Sequence, residues 1–272
     1  MIMMDSSNLP TAESTAILPS ITSDHDLRVS CYCEENAWRL VYRHLHYQKQ
    51  QTTNSSNNCN YFVVFVSNDK RCCPYFNQRA KPKPTSTDDI STMDYVCWDY
   101  HVIVVRQCTV ELSNDDDTKE DASSSNNRTE VLDIDTWLQP YPCQLEEYLY
   151  KSFPHVLNNN NNVDEQYHPK FRVIPAELYL KYFYSDRQHM IDVKTGNWLA
   201  TPPEYQPIMN GLELADDNGM KRNYNDKRDE KEKSSNLDMY IDMKVQSSSS
   251  SDNESAAFGR VYTIDQFRKA FT

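Results

Sequence analysis

The stretch Ser30-Cys31-Tyr32-Cys33-Glu34-Glu35-Asn36-Ala37-Trp38 places a thiol where a helix begins. From Cys33 onward apolar residues recur at helical spacing, with Ala37, Trp38, Leu40, Val41 and Leu45 on one face. Cys33 stands four residues before Ala37 on that face. Glu34 and Glu35 suit the positive end of a helix dipole, and the unpaired N–H groups of a first turn would stabilise a thiolate at the same end. The cysteine has two readings, a small buried residue at a helix start or a nucleophile. The second requires a base elsewhere in the chain.

This helix is expected to end near His46. Beyond a polar linker, Tyr61-Phe62-Val63-Val64-Phe65-Val66 has the aromatic and β-branched content of a strand buried on both faces. A second strand over residues 72–76 would complete a hairpin with it, Pro74 marking an edge. Residues 95–106, Tyr-Val-Cys-Trp-Asp-Tyr-His-Val-Ile-Val-Val-Arg, carry the longest strand signal. Alternation puts His101, Ile103 and Val105 on one face with Asp99 and Cys97, and Val102 and Val104 on the other.

A further strand over 130–137, separated from this one by an acidic, serine-rich tract, gives an antiparallel hairpin with a long tip. Loop-closure entropy grows only slowly with length, so the flanking strands keep their register. A carboxylate from Asp133 or Asp135 then lies beside His101 as a cross-strand neighbour. The two share a face, and spacing does not choose between them. Next come a helix over 143–153, a strand over 171–174, and a helix over 176–184 with Pro175 at its first position. A short strand over 259–262 follows, and Thr263-Ile264-Asp265-Gln266 has the form of a capping box opening a last helix.

Between these elements lie runs rich in Asn, Ser, Asp and Lys that bury too little apolar surface to offset the entropy of ordering them. We expect a disordered tail over 1–27 and one domain over 28–272, with low-complexity insertions over about 48–60, 81–92, 113–129, 157–166 and 211–256. About 160 residues remain for a core, enough for one ordinary domain. A net charge of −12 argues against nucleic acid or an anionic membrane as partner. Residues 1–26 lack a basic region followed by an apolar run, and no stretch reaches the ~18 apolar residues of a membrane span. The expectation is a soluble, monomeric chain of the cytoplasm that could also enter the nucleus. Eight cysteines in such a chain suggest free thiols, and their spacings match no zinc pattern. With four glycines there is no phosphate-cradling loop.

A cysteine at a helix start, a histidine on a strand and an acid on the next follow the chain order of the papain-like and transglutaminase-like thiol enzymes. There the imidazole takes the thiol proton and the acid holds the ring by its other nitrogen. Several motifs then occur in a telling order: residues 30–36, Val66-Ser-Asn68, Trp98-Asp-Tyr-His101, Leu132-Asp-Ile-Asp-Thr136, Pro140-Tyr-Pro-Cys143, Lys170-Phe-Arg-Val-Ile174, Ser185-Asp-Arg-Gln-His-Met190, Gly196-Asn-Trp198 and Val261-Tyr-Thr263. From about residue 28 to the C-terminus the chain resembles the protein N-terminal glutamine amidohydrolases, departing from their pattern in the insertions between motifs.

The resemblance implies an α/β (α+β) fold, an antiparallel sheet flanked by helices with a transglutaminase-like or papain-like core. It implies a hydrolase that converts an N-terminal glutamine of proteins or peptides to glutamate with release of ammonia, needs no metal or cofactor, and feeds the N-degron degradation route. By motif position the nucleophile is Cys33, the base His101 and the orienting acid Asp133. Asp99, Glu34 and Asp135 are candidates to receive the substrate α-ammonium, and Tyr32 and Trp98 to line the glutamine slot; each is equally explained as structural. A thiol protease, a transglutaminase or a silent peptide-binding module on the same fold are the alternatives.

Overall fold

The computed structural model describes residues 23–51, 58–84, 94–109, 127–158, 163–209, 235–244 and 258–271. Its centre is β1 (Asn58–Ser67), whose alternating side chains are buried on both faces: Val63 and Phe65 on one, Val64 and Val66 on the other. Two strands flank it antiparallel, β4 (His101–Thr109) and β7 (Lys170–Pro175). Outside these lie β5 (Asn127–Leu132) with β6 (Cys143–Gln144), and β8 (Arg260–Thr263), in the order β6-β5-β4-β1-β7-β8. Every pairing is antiparallel.

Helices cover both faces. On one, α1 (Cys33–Gln51), α4 (Ala176–Tyr182) and α5 (Leu237–Ile241) pack Trp38, Leu40, Val41, Tyr179 and Tyr240 against Val63, Phe65, Val102 and Val104. On the other, α2 (Leu145–Ser152), α3 (Pro154–Leu157) and α6 (Ile264–Phe271) bring Tyr148, Phe153, Phe267 and Phe271 against Val64, Ile103, Val105 and Val131. Each such fully buried apolar side chain contributes about 1.5–3 kcal/mol. Gly259, at φ +67°, is required where β8 begins: a Cβ there would stand 2.0 Å from the Val173 carbonyl oxygen.

The structure corrects several expectations, each through a long-range contact. Residues 95–106 are two strands, because Asp99 accepts the Tyr100 N–H on its own carboxylate (2.9 Å) and the Ser67 hydroxyl donates to the Asp99 carbonyl. The chain turns there, and β3 (Tyr95–Trp98) leaves the main sheet to pair with β2 (Cys73–Phe76) in a two-stranded ribbon. No hairpin joins β2 to β1. Helix α1 runs to Gln51, past His46. The 143–153 helix opens with β6 and is interrupted at Pro154, which starts α3.

Two boundaries also move. Ser23 caps a 3₁₀ turn over Asp24–Leu27 that buries Leu27, so ordered structure begins inside the expected tail. Within 211–256, Leu237, Tyr240 and Ile241 form the apolar face of α5, a three-residue pattern hidden by the polar average around it. Strands β1 and β5 likewise begin inside the ranges 48–60 and 113–129. Of the expected tail and insertions, residues 1–22, 52–57, 85–92, 113–126, 159–162, 211–234 and 245–256 lie outside the described residues. Free thiols were expected throughout, yet Cys59 and Cys108 stand directly opposite on β1 and β4 and form a disulfide; the other six are free. No described helix is long and apolar enough to cross a membrane.

Candidate active site

Cys33 is the first residue of α1. The Tyr32 carbonyl accepts the Asn36 N–H (2.9 Å), closing the first turn. The Asn36 amide then holds Val29 from both sides, accepting its N–H (2.9 Å) and donating to its carbonyl (2.8 Å). Folding 29–32 back in this way leaves Cys33 half-buried, lining a cavity of about 340 Å³ together with Trp98, Asp99, His101, Asp135 and His189.

His101 is the first residue of β4, placed there by the bend at Asp99 and Tyr100. Its Nε2 lies 3.1 Å from Asp133 Oδ1, which leaves Nδ1 as the other ring nitrogen. Tyr75 packs edge-on against the ring and Trp98 stacks on it. Asp133 is buried, and both its oxygens are engaged. Oδ1 also accepts the Asp135 N–H (2.9 Å), while Oδ2 accepts from the Tyr148 hydroxyl (2.7 Å) and the Gln78 amide (3.2 Å).

Burial alone would raise the Asp133 carboxyl, but the His101 charge and the hydrogen bonds from His101 and Tyr148 carry it below the usual carboxylate range. Burial would lower the His101 imidazole; Asp133 first, then Asp135 and Glu34, hold it above its ordinary value. The pair therefore favours its charged form. Cys33 is pushed well above the ordinary thiol range by burial, then by Glu34 and Asp135, with a Val102 backbone hydrogen bond acting the other way.

The structure distinguishes the two aspartates that alternation could not. The β4–β5 ladder ends at Val104↔Leu132, and continued in register it would set residue 135 opposite His101. Instead β5 stops at Leu132 and a turn begins, with the Thr136 N–H on the Asp133 carbonyl (3.4 Å). Asp133 thus meets His101 from a turn and not from a ladder position. Asp135 pairs with Arg28 at 2.6 Å.

Trp98, Asp99 and Asp135 line the cavity, whereas Tyr32 and Glu34 stand behind its wall. Tyr32 is fully buried, donating to the Ala200 carbonyl (3.3 Å). Glu34 is also fully buried. Its Oε2 accepts from the Tyr100 hydroxyl (3.1 Å) and lies 3.7 Å from Cys33 Sγ; Oε1 has no hydrogen bond and lies 3.4 Å from His189 Nε2.

Sequence reasoning missed Arg28, Gln78, Tyr148 and His189. His189 lies inside the motif at 185–190, and Tyr148 within the helix expected over 143–153. Nothing local marks Arg28 or Gln78. His101, Asp133 and Asp135 have potential ligand atoms within 4.8 Å of one another, the spacing of a metal site. Both Asp133 oxygens and one oxygen of Asp135 already accept hydrogen bonds or an ion pair.

The family model described as N-terminal glutamine amidase matches residues 28–271. The protein N-terminal glutamine amidohydrolase of Bos taurus is 34% identical over 182 residues, 67% of this chain and 70% of that protein. The human protein of the same name is 34% identical over 182 residues, 67% and 71% of the two chains. That of Drosophila ananassae is 34% identical over 186 residues, 68% and 73%. With residues 28–271 inside the family model and relatives 34% identical over two thirds of its length, the chain belongs to the N-terminal glutamine amidase family.

Proposed function

We propose that the protein hydrolyses the side-chain amide of an N-terminal glutamine, with Cys33, His101 and Asp133 as its catalytic triad. One observation carries this: His101, held by the buried Asp133, lines the same cavity as the half-buried thiol at the start of α1. His101 takes the Cys33 proton at Nδ1 while Asp133 holds Nε2, and the sulfur attacks the carboxamide carbon. The imidazolium then protonates the departing ammonia, leaving a thioester. Water that gives its proton to His101 attacks the thioester, and glutamate and the free thiol result. Backbone N–H groups at the start of α1 are the oxyanion donors.

Asp99 and Asp135 on the cavity wall, with Glu34 behind it, receive the α-ammonium. On this reading α1 packed against the sheet is the transglutaminase-like or papain-like core, and the product enters an N-degron route.

Ammonia release tests the proposal on four peptides that share a sequence after the first residue. A Gln-initiated peptide should be turned over. The acetylated form, one with internal Gln and one with Asn first should be refused. Asn is one methylene shorter, and a misplacement of about 1 Å can lower the rate about a hundredfold. Chain cleavage would point to a protease, amine incorporation to a transglutaminase, and binding without turnover to a silent module.

A further inference from the structure

The groups nearest the thiol work against its ionisation. Glu34 Oε2 lies 3.7 Å from Cys33 Sγ, and Asp99 and Asp135 line the same cavity. The cations facing this ring are already engaged: Arg28 with Asp135 (2.6 Å), Arg71 with Asp238 (3.8 Å), and His101 with Asp133 (3.1 Å). His189 forms an ion pair with the fully buried Glu34 (3.4 Å); burial would lower its imidazole, but Glu34 holds it above the ordinary value, although Glu34 Oε1 makes no hydrogen bond. Asp99 Oδ1 accepts the neighbouring Tyr100 N–H (2.9 Å). Glu34, Asp135 and Asp133 thus each have a cation, and Asp99 on the cavity wall is the carboxylate without one among the described residues, so one negative charge is in excess beside the nucleophile, an arrangement a thiol enzyme would be expected to avoid.

A substrate with a free N-terminus brings the missing cation. We propose that the α-ammonium of the substrate is itself the activator of Cys33: seated against Asp99 and Asp135 on the cavity wall, with Glu34 behind it, it offsets the excess negative charge and lets the thiol pass its proton to His101. The inference rests on the deamidation reading and deepens it. The proton moves from Sγ to His101 Nδ1, and the sulfur is then free to attack. In the empty site the thiol keeps its proton, consistent with the upward push that burial, Glu34 and Asp135 exert on Cys33.

A free N-terminus then controls the rate of chemistry as well as binding, and the thiol is protected from alkylation and oxidation until substrate arrives. The carboxylates that recognise the amine are the ones that hold the nucleophile in check.

The test compares a Gln-initiated peptide with its desamino analogue, in which hydrogen replaces the α-amine, on the full chain and on Glu34→Gln. With wild type, the analogue should lose about tenfold or more in kcat at saturation, the change in thiolate fraction expected from one compensating charge, and its pH–rate profile should move to higher pH. Glu34→Gln should slow the natural peptide but accelerate the analogue. Asp99→Asn, a change on the cavity wall, should do the same to a smaller extent.

A second readout needs no variant. Alkylation of Cys33 by iodoacetamide should speed up when a Gly-initiated peptide is added, since it brings an ammonium but no side chain to fill the slot. The acetylated peptide should leave the rate unchanged. Equal kcat for the two substrates with only KM altered, both substrates slowed alike by Glu34→Gln, or alkylation insensitive to the Gly-initiated peptide would each overturn the inference. Absence of ammonia release from the Gln-initiated peptide would instead overturn the deamidation reading, and the alkylation arm would still decide whether an ammonium activates Cys33.

Discussion

Glu34 and Glu35 are consecutive in the first turn of α1 and both are fully buried, yet they are satisfied to different degrees. Glu35 takes both ends of the Arg187 fork, Nε and Nη2 each at 2.7 Å. Arg187 spends its remaining nitrogen on the Tyr205 and Pro203 carbonyls (2.9 and 3.3 Å), and its guanidinium lies over Tyr205 and Tyr32. That pair is closed, and it pins the segment around residues 185–205 against Glu35, two positions after the thiol. Glu34 has the Tyr100 hydroxyl, the thiol and the His189 imidazole at 3.4 Å, and one of its oxygens has no hydrogen bond. A buried charge with every partner in place fixes the backbone. A buried charge left short of partners beside a cavity is positioned for a ligand.

The largest effects should separate chemistry from folding. Cys33→Ala and His101→Ala are each expected to lower kcat/KM by about a thousandfold or more, the usual loss when one member of a catalytic unit is removed. Melting temperature should change little in Cys33→Ala. Cys31 is exposed and outside the proposed chemistry, so Cys31→Ala should retain most activity. Equal losses at the two cysteines would remove Cys33 from its role. Stability should show the reverse order: breaking a buried ion pair by deleting one partner costs about 3–5 kcal/mol, so Arg187→Ala should destabilise severely in urea denaturation. Glu34→Gln should cost much less, because the carboxylate it replaces was incompletely paired. Similar losses at Glu34 and Arg187 would erase the contrast.

The pH profile sharpens the comparison next. His101 must be neutral to accept the thiol proton, and although burial lowers it, Asp133, Asp135 and Glu34 hold it above 6.5. The acidic limb of kcat/KM should therefore lie above pH 6.5. Asp133→Asn removes the largest raising influence, so that limb should move to lower pH while the maximal rate drops with the loss of the orienting charge. Asp135→Asn should move it the same way by less. Stability has the opposite sign: the raised imidazole contributes fully below pH 6.5, and this contribution is lost as pH climbs through the folded value. If Asp135→Asn proved more damaging than Asp133→Asn, the turn geometry would not be what orients the base.

What could be read from sequence was local. The start of α1 follows from its apolar period, and the inward and outward alternation of β1 from its composition. Both need only neighbouring residues. The choice of Asp133 over Asp135 needs a turn that takes the chain off the β5 ladder; the register by itself favours the wrong residue. The different fates of Glu34 and Glu35 depend on His189 and Arg187, more than 150 positions away in the chain. The break at Asp99 was hidden because every residue around it favours extended structure, and a contact from Ser67 settles it. Cys59 and Cys108, 49 residues apart, meet only once β1 and β4 are in register.

The smallest effect comes from a polar pair that was legible in four residues. Thr263 Oγ1 accepts the Gln266 N–H (3.3 Å) and Gln266 Oε1 accepts the Thr263 N–H (2.9 Å), closing the box that starts α6. Both side chains are exposed, so water can replace either bond when it is lost. Thr263→Ala should therefore cost only about 1 kcal/mol, the usual value of an N-cap, and leave ammonia release unchanged. The helix would still bury Ile264, Phe267 and Phe271. Equilibrium denaturation of Thr263→Ala beside Arg187→Ala measures how far burial, and not the mere presence of two hydrogen bonds, sets the worth of a polar pair. Were the exposed box to cost as much as the buried fork, full partnering of Glu35 could no longer explain its structural role, and its contrast with Glu34 would lose its physical basis.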